Sequence, residues 1–265
     1  MKVGMNLLLW TGHVTEAHVP ILQALKDTGF DGVEVPLFDP SDPGHYRRLG
    51  AILDDIGLER TAVALIPDEA HSPISADPAV RQAGFEHLAR VIDCCAALDT
   101  DLVCGPWYQP LGVFSGQGPT PQEYERCAEV HKRIAPLAHD AGVTCTLEVL
   151  NRFECYFLTT MEQLAEYLDE VNHPAVKAMY ASIAPIHRHN INSVEAIINY
   201  AVELGAEALD RAPALGVQLV GPQLDANTGE RLERMAEQHQ LALGVEAAAL
   251  HPARIPGRAD LDPAV

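Results

Sequence analysis

The feature that most constrains this chain is an alternation that begins at the third residue. Val3 to Trp10 reads as a buried strand, and residues 15 to 28 follow as a helix whose apolar face is Val19, Ile21, Leu22 and Leu25, stopped by Gly29. Gly32 to Leu37 is a second strand, and a helix from about 42 to 56 ends at Gly57. Thr61 to Ile66 is a third strand. Asp77-Pro78 then opens a long helix to about Leu98, with an acid at the N-cap and proline at the first helical position. Asp101 to Cys104 is a fourth strand. Thr120-Pro121-Gln122-Glu123 is a capping box that opens a helix to Ala141, stopped by Gly142. A fifth strand starts at Val143, and Thr159-Thr160-Met161-Glu162 reads as a further capping box for a helix to Val171. Val176 to Tyr180 is a sixth strand.

Strands alternating with helices through short connections predict a parallel sheet with right-handed crossovers. Even spacing favours a closed barrel over a doubly wound sheet. A complete (β/α)8 barrel takes about 250 residues, and the chain has 265. The expected fold is therefore α/β, a TIM barrel over residues 1–250 as a single domain, with an irregular, proline-rich tail at 251–265. The last third is less regular. Ser193 opens a helix to about Leu209, Val217 to Val220 reads as a seventh strand, 226–239 as a charged helix, and Leu241 to Glu246 as an eighth strand. A barrel that is irregular or incomplete there fits the same text.

The stretch Val143 to Glu154 carries the chemistry. A buried strand has no packing reason to end in Glu148-Val149-Leu150-Asn151-Arg152-Phe153-Glu154, because an unpaired buried charge is costly. Glu148 at a strand's carboxyl end points to a metal or acid–base site. The plainer alternative is a surface Glu148–Arg152 pair. After Gly105-Pro106 a long loop mixes Trp107, Tyr108, Leu111 and Phe114 with small residues. Such a loop suggests a ligand wall, with ordinary surface packing as its alternative.

Composition removes several classes of function. The net charge is −19, from 18 basic and 37 acidic residues. That argues against a nucleic-acid partner or an anionic membrane, both of which need a basic footprint. No run of about 18 apolar residues offers a membrane span, and the first residues lack the pattern of a signal peptide. Cys94, Cys95, Cys104, Cys127, Cys145 and Cys155 show no zinc spacing. Buried thiols in a reducing cytoplasm are expected.

Several segments resemble the ketose 3-epimerases of the D-tagatose/D-psicose type, in the sugar isomerase/epimerase superfamily with xylose-isomerase-like barrels. They are Gly4 to Thr11, Gly32 to Phe38, Cys104-Gly105-Pro106 with Leu111 to Gly116, Leu147 to Glu154, and Val176 to Tyr180. The likeness covers roughly residues 1–180 and keeps the family's order. It implies a divalent metal, usually manganese with cobalt or magnesium as alternatives, held by two glutamates, an aspartate and a histidine. The two glutamates flank C3 of a small free ketose. One removes the C3 proton and the other returns a proton on the opposite face. Glu148 matches the first glutamate. Glu154 matches a residue near the substrate's C1–C2 end, and Trp107 lies in the ligand-wall loop. A homo-oligomer, dimer or tetramer, is implied as well.

The chain departs from the pattern after Tyr180. Ala181 and Ala184 stand where the family has an aspartate ligand and a histidine, with His187 and His189 nearby. The seventh strand has Gln218 and no histidine, with Asp225 beyond it. Glu246 has two readings. It is the last strand's carboxylate, a metal ligand and partner of Glu148; or Arg254 to Arg258 is a motif that precedes a missing eighth strand. Three functions stay open: metal-dependent C3 epimerisation through an enediolate, a metal-free vestigial or sugar-binding barrel, and another superfamily activity such as aldose–ketose isomerisation. The acidic surface speaks against an endonuclease.

Overall fold

The computed structural model describes residues 3–179. Its strands and helices alternate in the expected order. They are β1 (Gly4–Asn6), α1 (Val19–Thr28), β2 (Gly32–Pro36), α2 (Pro43–Ile56), β3 (Glu59–Val63), α3 (Pro78–Leu98), β4 (Leu102–Gly105), α4 (Pro121–Asp140), β5 (Thr144–Glu148), α5 (Met161–Val171) and β6 (Val176–Met179). All neighbouring strands pair in parallel, in the order β1-β2-β3-β4-β5-β6. Each strand lies beside its sequence neighbour, as helical crossovers of one hand require.

The helix boundaries follow local chemistry. The Asp42 and Asp77 side chains accept from the backbone N–H of Gly44 and Ala79, with proline next in each case. At α4, Thr120 and Glu123 cap each other's backbone. Gly29 and Gly57 close α1 and α2 in the left-handed region, with φ of 104° and 81°.

Strand boundaries differ where side chains or pairing intervene. β1 stops at Asn6 rather than Trp10, because the Asn6 carboxamide accepts from Leu8 N–H at 2.8 Å and starts a 3-10 turn over Leu7–Leu9. β3 starts at Glu59, whose N–H donates to Asp31 O at 2.9 Å, and ends at Val63 rather than Ile66. The box before α5 is one residue later than expected. Thr160 and Gln163, not Thr159 and Glu162, cap each other. The expected elements of residues 193–246 and the tail lie outside the described residues, as does Tyr180.

One face of the sheet packs on the helices. Val33, Val35, Ala62, Val103, Cys145, Leu147 and Ala178 are buried there with Leu22, Leu53, Leu88, Val91, Ile134 and Leu164. Successive side chains on a strand point to opposite faces, so Glu34, Cys104, Thr146 and Glu148 occupy the other face. All six cysteines are free and buried. No helix among the described residues is long and apolar enough to cross a membrane.

Candidate active site

Glu148 is the last residue of β5. Its carboxyl is pushed up to about 7, first by burial and then by the negative charges of Glu34 and Glu154. Among the described residues it meets no hydrogen-bond donor and no cation, and no Glu148–Arg152 ion pair forms. The Arg152 guanidinium lies instead 5.1 Å from the centre of the Phe153 ring. The surface-pair alternative therefore fails: Glu148 is half-buried on the sheet face that carries Glu34, while Arg152 is exposed.

A second carboxylate shares this side. Glu34 on β2 sits between the buried Val33 and Val35. One of its oxygens accepts from the Asn6 side-chain amide on β1. The other accepts from the Cys104 thiol on β4 at 3.2 Å. Burial pushes the Glu34 carboxyl up, and the Cys104 bond opposes that shift. The Cys104 thiol is itself driven well above its ordinary range by burial and by Glu34, so it acts as a neutral S–H donor.

Glu154 lies on the loop after β5 and is exposed. Its carboxylate accepts from the Asn151 side-chain amide, and its carbonyl accepts from Gly112 N–H at 2.9 Å. Trp107 is only 1% exposed. Its indole N–H donates to the Cys104 carbonyl at 3.3 Å, and its own carbonyl accepts from His131 Nε2 at 3.1 Å. Because a carbonyl can only accept, His131 carries its proton on Nε2. Its Nδ1 then receives the Tyr167 hydroxyl at 2.7 Å. Burial lowers this imidazole to about 4, so it is neutral at physiological pH.

Among the described residues, no three His, Cys, Asp or Glu side chains are placed to hold a metal ion. Glu148, a carboxyl with no hydrogen-bond donor or cation beside it among these residues, offers oxygen of the kind a hard divalent cation takes. Glu246, Ala181, Ala184, His187, His189, Gln218 and Asp225 lie outside the described residues. Glu34 escaped the sequence reading as a site residue. Its signal was present, since a carboxylate between two valines in a buried strand is as anomalous as Glu148. Asn6 and Cys104 carried no local signal of a shared carboxylate.

Residues 22–183 match the family described as xylose isomerase-like TIM barrel. The chain belongs to that family. This xylose isomerase-like barrel is 34% identical over 175 residues to a ketose 3-epimerase of Arthrobacter globiformis, covering 66% of this chain and 60% of that protein. It is 29% identical over 178 residues to an L-ribulose 3-epimerase of a Methylomonas species, covering 66% and 60%. A crystal structure of the D-allulose 3-epimerase from Methylomonas in complex with D-allulose superposes with a TM-score of 0.64 and 25% identity, covering 77% of this chain and 69% of that one. The chain thus spans about 60% of the length of the curated relatives it matches. The six described strands are the arc of a barrel, and Glu148 and Glu154 lie at or beyond a strand's carboxyl end, the catalytic side of this fold.

Proposed function

We propose that this barrel epimerises a small free ketose of the tagatose, psicose or fructose class at C3. The observation that carries the reading is Glu148: a half-buried, uncompensated carboxylate at the end of β5, in a chain whose relatives are named ketose 3-epimerases. Glu148 removes the C3 proton as general base, leaving an enediolate. A group with a pKa near the working pH is suited to that transfer in both directions. Glu246 returns a proton on the opposite face, which inverts the centre. Glu154 accepts hydrogen bonds from hydroxyls at the C1–C2 end. Trp107 backs the pocket, held by its bonds to Cys104 and His131. Glu148 and Glu246 would hold a divalent cation, with manganese favoured over cobalt and magnesium. Bound there, such an ion supplies Lewis-acid stabilisation of the developing oxyanion. The reading includes one barrel domain over residues 1–250, an irregular tail at 251–265, a cytoplasmic location and a dimer or tetramer.

The test is direct. Purified protein with manganese converts D-fructose or D-tagatose to its C3 epimer, with no aldose formed. Glu148→Gln lowers turnover by about 10²–10⁴-fold, the span a positioned acid–base group contributes. Turnover of that variant at the parent's rate overturns the reading.

A second reading rests on Ala181 and Ala184, which stand at positions where the family has an aspartate and a histidine. On it the barrel binds a sugar without turning it over. Elemental analysis separates the two: about one manganese or cobalt per chain supports the enzyme, and none after soaking supports the vestigial barrel.

A further inference from the structure

The loop that carries Glu154 is folded on itself around Asn151, whose carbonyl accepts the N–H groups of Glu154 at 3.0 Å and Cys155 at 3.2 Å and whose side-chain oxygen accepts the Phe153 N–H at 2.9 Å. Two consecutive buried residues of the preceding loop tie that turn to the rest of the fold. Tyr108 and Gln109 are 0% and 1% exposed. The Tyr108 hydroxyl donates to the Glu148 carbonyl at 2.8 Å, at the point where β5 becomes loop. The Leu158 carbonyl, 3.3 Å from the same hydroxyl, receives the Cys155 thiol at 3.4 Å. Gln109 spends its whole carboxamide on backbone. Its Oε1 accepts the N–H groups of Tyr156 at 3.1 Å and Phe157 at 2.9 Å, and its Nε2 donates to Val113 O at 2.9 Å. Gly112 N–H then donates to the Glu154 carbonyl at 2.9 Å. The loop between the two acidic residues is therefore tied at its start, at Glu154 and just beyond it.

We infer that Tyr108 and Gln109 are positioning residues of this site: Tyr108 fixes the backbone of Glu148, and Gln109, with Val113 and Gly112, fixes the stretch that presents Glu154. The inference rests on the epimerase reading for its kinetic consequence and on the hydrogen bonds alone for its structural one. Reacting groups must be held to within about 0.5 Å, and a displacement of about 1 Å can cost about 10²-fold. A buried side chain bonded to backbone gives such precision, because no water competes for the donors. The two residues act on different groups, so their losses separate. Glu148 does chemistry and Glu154 meets substrate.

Three variants test this. Tyr108→Phe lowers kcat by at least about tenfold and leaves KM within about twofold. Gln109→Leu raises KM by at least about fivefold, with a smaller change in kcat. Tyr46→Phe removes an equivalent bond from a buried tyrosine, to Asp39 O at 2.9 Å, and leaves both constants unchanged while lowering Tm. Parent constants in Tyr108→Phe and Gln109→Leu overturn the inference, as does an equal loss of kcat in Tyr46→Phe. Amide exchange supplies a readout free of turnover. In Gln109→Leu the Tyr156 and Phe157 amides exchange at least about tenfold faster, while those of α2 do not change. Should that variant not fold, Gln109→Asn, one methylene too short to span both loops, takes its place. Unchanged protection overturns the clamp. A parent inactive on ketoses, with the exchange result intact, overturns only the epimerase reading.

Discussion

At the residue scale, two titrating groups set opposite pH dependences. The Glu148 carboxyl moves from 4.5 to about 7 on folding, so between those values the folded chain binds more protons than the unfolded one. Stability contributed at this site therefore falls as pH rises through that window. Without a cation, Glu148→Gln melts at a higher temperature than the parent at pH 8, and the difference disappears near pH 4, where the parent's carboxyl is neutral. Calorimetry in chelator decides it; equal melting at pH 8 means that the carboxylate is compensated. His131 runs the other way. Its imidazole falls from 6.5 to about 4, so the unfolded chain binds the extra proton, and stability is lost as pH drops from 6.5 toward 4. A shift of that size is on the order of 3 kcal/mol at full titration. Urea midpoints of the parent should fall across that range, and those of His131→Gln should be flatter. Parallel slopes would show that the imidazole is already protonated in the fold.

At the element scale, what was legible in the sequence was whatever short-range chemistry decides. Asp77-Pro78, Thr120 with Glu123, and Gly57 mark helix ends because each acts on backbone within four residues. Strand ends depend on partners far along the chain, and there the reading slipped. Nothing near Val63 says that β3 stops there. The reason lies at Gly105, 42 residues on, where β4 turns away with φ of 139°. A Cβ at Gly105 would lie 1.9 Å from the Ala64 carbonyl oxygen. Gly105→Ala must therefore open the β3–β4 junction beneath Trp107, at a cost of more than about 3 kcal/mol. Gly112 is a fair control. It also has positive φ, 73°, but open space around it. Gly112→Ala should cost about 1 kcal/mol. Urea denaturation of both variants checks the ordering, and similar losses would mean that the Ala64 contact relaxes freely.

At the scale of the whole molecule, the candidate site joins β1, β2, β4 and β5, and its legibility followed sequence distance. Glu148 and Glu154 announced themselves within one stretch. The Cys104–Glu34 bond spans 70 positions and the Gln109–Phe157 bond 48, so no local pattern contained them. The arc of described strands gathers Glu34 and Glu148 on one face of the sheet, within a chain of net charge −19. Self-repulsion of that size opposes the compact state. Apart from the buried Arg60 side chain, which bridges Asp54 and Asp99, the exposed ion pairs among the described residues do little to offset it. They include Arg48–Asp42 and Lys132–Glu170, whose side chains are 45–64% exposed, and such pairs contribute at most about 1 kcal/mol each. Salt screens both effects, and the repulsion is the larger. Raising ionic strength from 0.01 to 0.1 M shortens the Debye length from about 30 to about 10 Å, which removes long-range repulsion while sparing close contacts. The parent's Tm should therefore rise with sodium chloride over this range, by about 2–4 °C for each kcal/mol relieved. A Tm that falls would show that attractive pairs, and not the acidic excess, dominate the electrostatics of the fold.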